Sequence, residues 1–206
     1  MWDERLTTIV DELKNKYHCH TIILYGSRAR GDHTATSDYD VAGIRKTGQK
    51  KRIARFDEKN NVYHDIFIYS EKDLKRPTEK HLIMADGLVI LEQDHFGQRL
   101  LDKLNELLKK PENISKDELE FRKTWYQKML ARASIRDVEG KYRHIWIIFV
   151  ILEDYFAFRG MRYQGPKKAF QYLRKSDPET LLLFEEALTN VCNIEALVRL
   201  IKKIDT

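Results

Sequence analysis

Cysteine is almost missing from this chain. Cys19 and Cys192 are the only two in 206 residues, too few and too far apart for a disulfide framework. Long hydrophobic runs are missing too. The longest, Ile145 to Leu152, is followed at once by Glu153 and Asp154 and falls well short of the about 18 residues that span a bilayer. The opening MWDERLTTIVDELKNKY has acids early and no apolar h-region, so a cytoplasmic protein without a membrane partner is expected. No internal repeat or low-complexity tract is visible.

A metal centre at His18-Cys19-His20 is disfavoured. Three adjacent residues on an extended chain point to alternate faces, and no partner cluster accompanies them.

What is present is a soluble composition, 42% hydrophobic and 33% charged. A net charge of +5 permits an anionic partner and demands none.

The periodicity divides the chain in two. Leu6, Ile9, Val10, Leu13 and Tyr17 form the stripe of an amphipathic helix. TIILYG (21–26) and DYDVAGI (38–44) read as strands, with a polar short helix or loop between them. KTGQKKR (46–52) reads as a basic loop. IARFD and VYHDIFIY flank EKNN as a hairpin, and Ser70 with Asp73 suggests a capping box. GLVILEQ (87–93) predicts another strand, and Gly97–Lys110 a leucine-striped helix.

KKPENISKDE (109–118) is the expected boundary. Beyond it the pattern is helical: around Trp125–Ile135, Tyr142–Phe158, Pro166–Lys175, and one stretch after Pro178. The expected class is therefore α+β. A small mixed-sheet domain over 1–110 precedes an all-α helical bundle over 117–206.

Asp38 and Asp40 share one face of a strand, and two ionised carboxylates so close call for a cation. Mg²⁺ suits them, because it takes hard oxygen ligands together with substrate phosphates. Asp65, inside the apolar strand VYHDIFIY, is an acid in need of a partner. If its strand neighbours that of Asp38 and Asp40, three carboxylates converge, enough for two metal ions. Gly26 permits close backbone approach to a phosphate. Ser27 offers a hydroxyl at a helix start, and Arg28 and Arg30 add positive charge there.

Gly26-Ser27, ten residues, Asp38-x-Asp40 and a later strand-borne Asp65 resemble the DNA polymerase beta-type nucleotidyltransferase superfamily. GSRARG…SDYD is especially similar to its minimal and aminoglycoside (kanamycin) nucleotidyltransferase branch, and the likeness runs over about residues 20–95. The resemblance implies transfer of a nucleoside monophosphate, with AMP the first choice, from an NTP to a hydroxyl of a small molecule or protein, with pyrophosphate released. It implies that Gly26 and Ser27 bind the triphosphate and that Asp38, Asp40 and Asp65 ligate Mg²⁺. Asp65 would also act as base for the acceptor hydroxyl.

Two alternatives stand beside this reading: a catalytically silent or antitoxin-like module that binds a partner, and a template-independent polymerase acting on nucleic acid. In toxin–antitoxin pairs the helical companion carries an Arg–His ribonuclease motif. Arg136 and His144 are spaced too widely for it, which argues against ribonuclease activity in this chain. A homodimer in which one helical half closes the other's cleft is compatible with the sequence.

In the helical half, Glu153 and Asp154 interrupt an apolar helix. An ion pair with an arginine such as Arg143 or Arg159 is the favoured reading. Lys167 and Lys168 follow Gly165-Pro166 at a helix start, where a solvated face is the default and a nucleotide phosphate the functional alternative. The aromatics Trp125, Tyr126, Trp146, Tyr155, Phe156 and Phe158 read as core.

Overall fold

The computed structural model describes residues 3–112, 114–190 and 193–204. Cys192 lies outside them. Two compact units meet in sequence between Lys110 and Pro111.

The first unit opens with α1 (Glu4–Asn15), whose first turn is capped by Asp3 accepting from the Leu6 N–H. A five-stranded sheet follows: β1 (Thr21–Tyr25), β2 (Tyr39–Arg45), β3 (Lys51–Asp57), β4 (Val62–Ser70) and β5 (Leu88–Leu91). Its spatial order is β3-β4-β2-β1-β5. Only β2 and β4 run parallel. The chain leaves β2, builds β3 on the outside, and turns back through a hairpin to lay β4 in between.

β1 is interior and buried along its whole length, which is why TIILY is a continuous apolar run and not an alternating one. One sheet face packs Ile22, Leu24, Val41, Ile66 and Ile68 against Leu6, Ile9 and Leu13 of α1. The other face packs Ile23, Ala42, Ile44 and Tyr69 against α4 (Phe96–Lys109) and a 3₁₀ segment, Glu79–Met84. The short helices α2 (Gly26–Arg30) and α3 (Glu71–Leu74) follow β1 and β4, and the Ser70–Asp73 capping box is present.

The basic stretch 46–52 is loop only as far as Lys50. Lys51 and Arg52 already belong to β3, because the hairpin register continues through them to Phe67 and Ile68.

The second unit holds α5 (Lys116–Ala133), α6 (Val138–Ala157), α7 (Pro166–Ser176), α8 (Pro178–Thr189) and α9 (Ile194–Ile204) around Ile147, Ile151, Leu173, Phe184 and Leu200. Two expectations need correction. α5 starts nine residues before Trp125, capped by Ser115, with polar first turns that carry no apolar period. The stretch after Pro178 is two helices, because the Asn193 side chain caps a new start at the Ala196 N–H. Tyr126, Tyr155 and Phe156 are core, whereas Trp146 stays partly exposed.

Candidate active site

The parallel register sets Asp40 directly opposite Asp65, and the antiparallel register sets Tyr25 opposite Asp40. Directly opposed residues share a face, so Tyr25, Asp40, Asp65 and Ala54 form one row across four strands. Asp38 lies just before β2 and close enough to act electrostatically on Asp40.

Gly26 is required here for a reason the sequence did not reveal. Its φ is +73°, and a Cβ at this position would lie 2.2 Å from Oδ2 of Asp40. The glycine lets the carboxylate rest against the backbone corner where α2 begins. Ser27 is the next residue, and its hydroxyl has no protein hydrogen-bond partner among the described residues.

Burial and the nearby charges of Asp38 and Asp65 push the Asp40 carboxyl up to about 6, with Arg30 offsetting part of the effect. Tyr25 is pushed up by burial and then by Asp40. Tyr69 rises to about 12, by burial first and Asp65 second.

Asp65 is partnered. Arg52 donates Nε and Nη2 to its two carboxylate oxygens at 2.7 and 2.8 Å, a bidentate pair reached across the β3–β4 hairpin. The strands thus bring Asp40 and Asp65 together as expected, yet no three His, Cys, Asp or Glu side chains among the described residues form a ready metal cage. Asp65 faces the guanidinium of Arg52, while Asp38 and Asp65 both act electrostatically on Asp40. Asp38 and Asp40, hard oxygen donors at an electron-rich corner, still fit the usual Mg²⁺ arrangement of one or two carboxylates plus phosphates.

The two arginines assigned to phosphate binding have protein partners. Arg28 is nearly buried and donates Nε to the carbonyls of Ser37 and Asp38 at 3.0 and 3.2 Å, and Nη2 to that of Ser37 at 2.8 Å. Its guanidinium lies 3.8 Å from the Tyr39 ring centroid, and the Tyr39 hydroxyl donates to Asp3. Arg28 therefore fastens the loop that delivers Asp38. Arg30 pairs with Asp86 at 3.0 Å and Asp32 at 3.4 Å while still acting on Asp40.

Lys167 sits in the first turn of α7 in the second unit, after Gly165 with φ +89° and Pro166 at the first helical position. Asp154 is buried in α6, and its partners are Arg122, at 2.5 Å, and the Tyr126 hydroxyl, also 2.5 Å. Neither Arg143 nor Arg159 fills that role: Arg143 pairs with Glu139, and Arg159 lies over Tyr155. Glu153 stays exposed, with its carboxyl raised by partial burial and by Asp154. His144 is buried against the Ala187 carbonyl.

Arg52 and Tyr25 were missed from sequence. A cation near the hairpin's start, one cross-strand diagonal from an acid in its second strand, was the available signal for Arg52.

Residues 7–96 match the family model described as Polymerase beta, Nucleotidyltransferase, a span that includes the sheet and Asp38, Asp40 and Asp65. Among solved structures the chain is similar to a nucleotidyltransferase-like protein from Exiguobacterium sibiricum. The identity is 12%, over 97% of this chain and 74% of that one, with a TM-score of 0.38. No curated protein matches the sequence.

Proposed function

Taking residues 7–96 as a polymerase beta-type nucleotidyltransferase domain, we propose that the chain transfers a nucleoside monophosphate, AMP by first choice, from an NTP to a hydroxyl of a small molecule or protein. The observation that carries the reading is the seating of Asp40. Its carboxylate lies against Gly26 at the foot of α2 and opposite Asp65, with its proton affinity raised by burial and then by Asp38 and Asp65.

Asp38 and Asp40 would hold Mg²⁺, which when bound supplies charge neutralisation for the triphosphate and the departing pyrophosphate. A second ion requires Asp65 to leave Arg52. The Gly26–Ser27 corner takes phosphate oxygens through the Ser27 hydroxyl and the adjoining backbone N–H groups. Arg28 keeps Asp38 in position by fixing the Ser37 and Asp38 carbonyls.

Once free of Arg52, a carboxylate oxygen of Asp65 accepts the proton of the acceptor hydroxyl. The resulting oxygen bonds to the α-phosphorus, the bond to the bridging oxygen breaks, and pyrophosphate leaves.

The Arg52–Asp65 pair also favours a second reading. If Arg52 never releases the acid, the domain is a silent scaffold that serves as a partner-binding module.

Calorimetric titration of ATP, CTP, GTP and UTP with and without Mg²⁺, against wild type and Asp38→Asn/Asp40→Asn, separates the two. Mg²⁺-dependent binding lost in the variant supports transfer. No binding of any nucleotide to wild type leaves the scaffold reading.

A further inference from the structure

The opposite end of the sheet carries a second charged feature. Lys46 follows the last residue of β2, and Glu71 follows the last of β4, whereas Asp40 is the second residue of β2 and Asp65 the fourth of β4. Six residues of strand at about 3.3 Å each separate the two ends, or about 20 Å.

Three hollows adjoin there. The largest, about 550 Å³, lies between α3 and α4, with Leu74, Leu100 and Phe96 as its apolar part and Lys46, Lys72, Lys75, Arg99 and Lys103 around it. A recess of about 220 Å³ shares Lys46, Phe96 and Arg99 and adds His20. A third, about 340 Å³, shares Lys46 and His20 and continues past Arg45 and His18. Shared residues make them one elongated groove.

Its charge is one-sided. Two acids line it, Glu71 and Asp94. Glu71 is already within 3.1 Å of His20, which packs edge-on against Phe96. Among the described residues, Lys46, Lys72, Lys75, Arg99 and Lys103 have no carboxylate within ion-pair distance. Among the described residues, the side chain of Arg99 makes one hydrogen bond, to the Asp94 carbonyl. Cations gathered along a concave wall without counter-charges raise the local concentration of polyanions. A compact anion fits one hollow, whereas three in a row match an extended phosphate chain.

We propose that this groove binds consecutive phosphates of a single-stranded nucleic acid, at a site separate from the carboxylate corner. The inference does not depend on catalysis at Asp65. The salt dependence follows from counterion release, with a log–log slope of about −0.7 per phosphate contacted, so about four contacts give about −3.

The test is fluorescence anisotropy of the full chain with a labelled oligoadenylate of about 12 nucleotides, between about 50 and 200 mM salt. Lys72→Gln/Arg99→Gln/Lys103→Gln should weaken binding at least about tenfold and flatten the slope by about 2. Lys14→Gln/Lys59→Gln/Lys80→Gln removes the same charge elsewhere on the first unit and should bind as wild type does. Asp38→Asn/Asp40→Asn should also retain binding, which keeps this result distinct from the fate of the catalytic reading. All six lysine and arginine positions are exposed, so equal melting temperatures check that the variants fold.

Competition by tripolyphosphate distinguishes a free polyphosphate from a strand as the source of the phosphates. Displacement of the strand only by a large excess of tripolyphosphate supports the proposal, and tripolyphosphate binding as tightly as the strand assigns the groove to free polyphosphate and overturns it. Equal weakening by the two triple variants, no binding by wild type at low salt, or polyglutamate binding as tightly as the oligonucleotide would each overturn it.

Discussion

Replacing Asp40 by asparagine should make the metal-free protein more stable. The Asp40 carboxyl is held at about 6 against an ordinary value of 3.8, a difference of about two units, with burial and then Asp38 and Asp65 as causes. At 1.36 kcal/mol per unit this is about 3 kcal/mol of destabilisation of the ionised form. The side chain is only partly buried, so solvent screening reduces the figure to about 1–2 kcal/mol. Asparagine keeps the shape against Gly26 and removes the charge. For a chain of this size the gain corresponds to about 3–6 °C in melting temperature.

The sign with pH follows from linkage. The folded state binds the Asp40 proton more tightly than the unfolded state, so this group makes wild type less stable as pH rises from about 4 through about 6. The advantage of the variant should be full at pH 7.5 and vanish below about pH 3, where Asp40 is protonated in both the folded and the unfolded state. The assay is differential scanning calorimetry in EDTA at several pH values, repeated with Mg²⁺ and NTP. Those ligands should raise wild type and leave Asp40→Asn unmoved. An Asp40→Asn protein equal to or less stable than wild type at pH 7.5 in EDTA refutes the argument.

Gly26→Ala should lose at least about 1–2 kcal/mol in denaturant titration, since alanine is strained at φ +73° and its methyl would collide with Asp40. Its Mg²⁺–NTP binding should fall with it, and unchanged binding would remove the glycine from the site. Arg28→Lys should weaken Mg²⁺–NTP binding about as much as Arg28→Ala, because an ammonium cannot reproduce the fork that holds two carbonyls; faster hydrogen exchange in residues 31–38 is the accompanying sign. Arg52→Ala should tighten Mg²⁺ binding measured by calorimetry, and weaker binding would mean that the arginine assists the site. Arg122→Met alone should cost the second unit about 3–5 kcal/mol by leaving Asp154 buried without its cation. Arg122→Met/Asp154→Leu should recover much of this in urea unfolding curves.

Much of this architecture was legible because it was written in period and punctuation. The stripe of α1, the continuous run of β1, the EKNN hairpin and the Ser70–Asp73 cap are local patterns with local causes. The side-by-side placement of Asp40 and Asp65 was conditional until the strand order was known. Nothing within either strand shows that β3 turns back and lets β4 lie parallel to β2. The engagements of Arg28, Arg52 and Arg122 were hidden for a further reason. A long cationic side chain can reach many partners, and its choice depends on tertiary distance. The start of α5 was hidden because its opening turns face solvent and show no apolar period.

The strand order also has a kinetic side. The β3–β4 hairpin is closed by residues adjacent in sequence, whereas β2 joins β4 only after the chain between them has been looped out. Asp40 therefore meets Asp65 during that docking, after the hairpin exists. The mutual repulsion of the acids is encountered on the way into the native state, and added salt or mild acid should quicken refolding more than it slows unfolding.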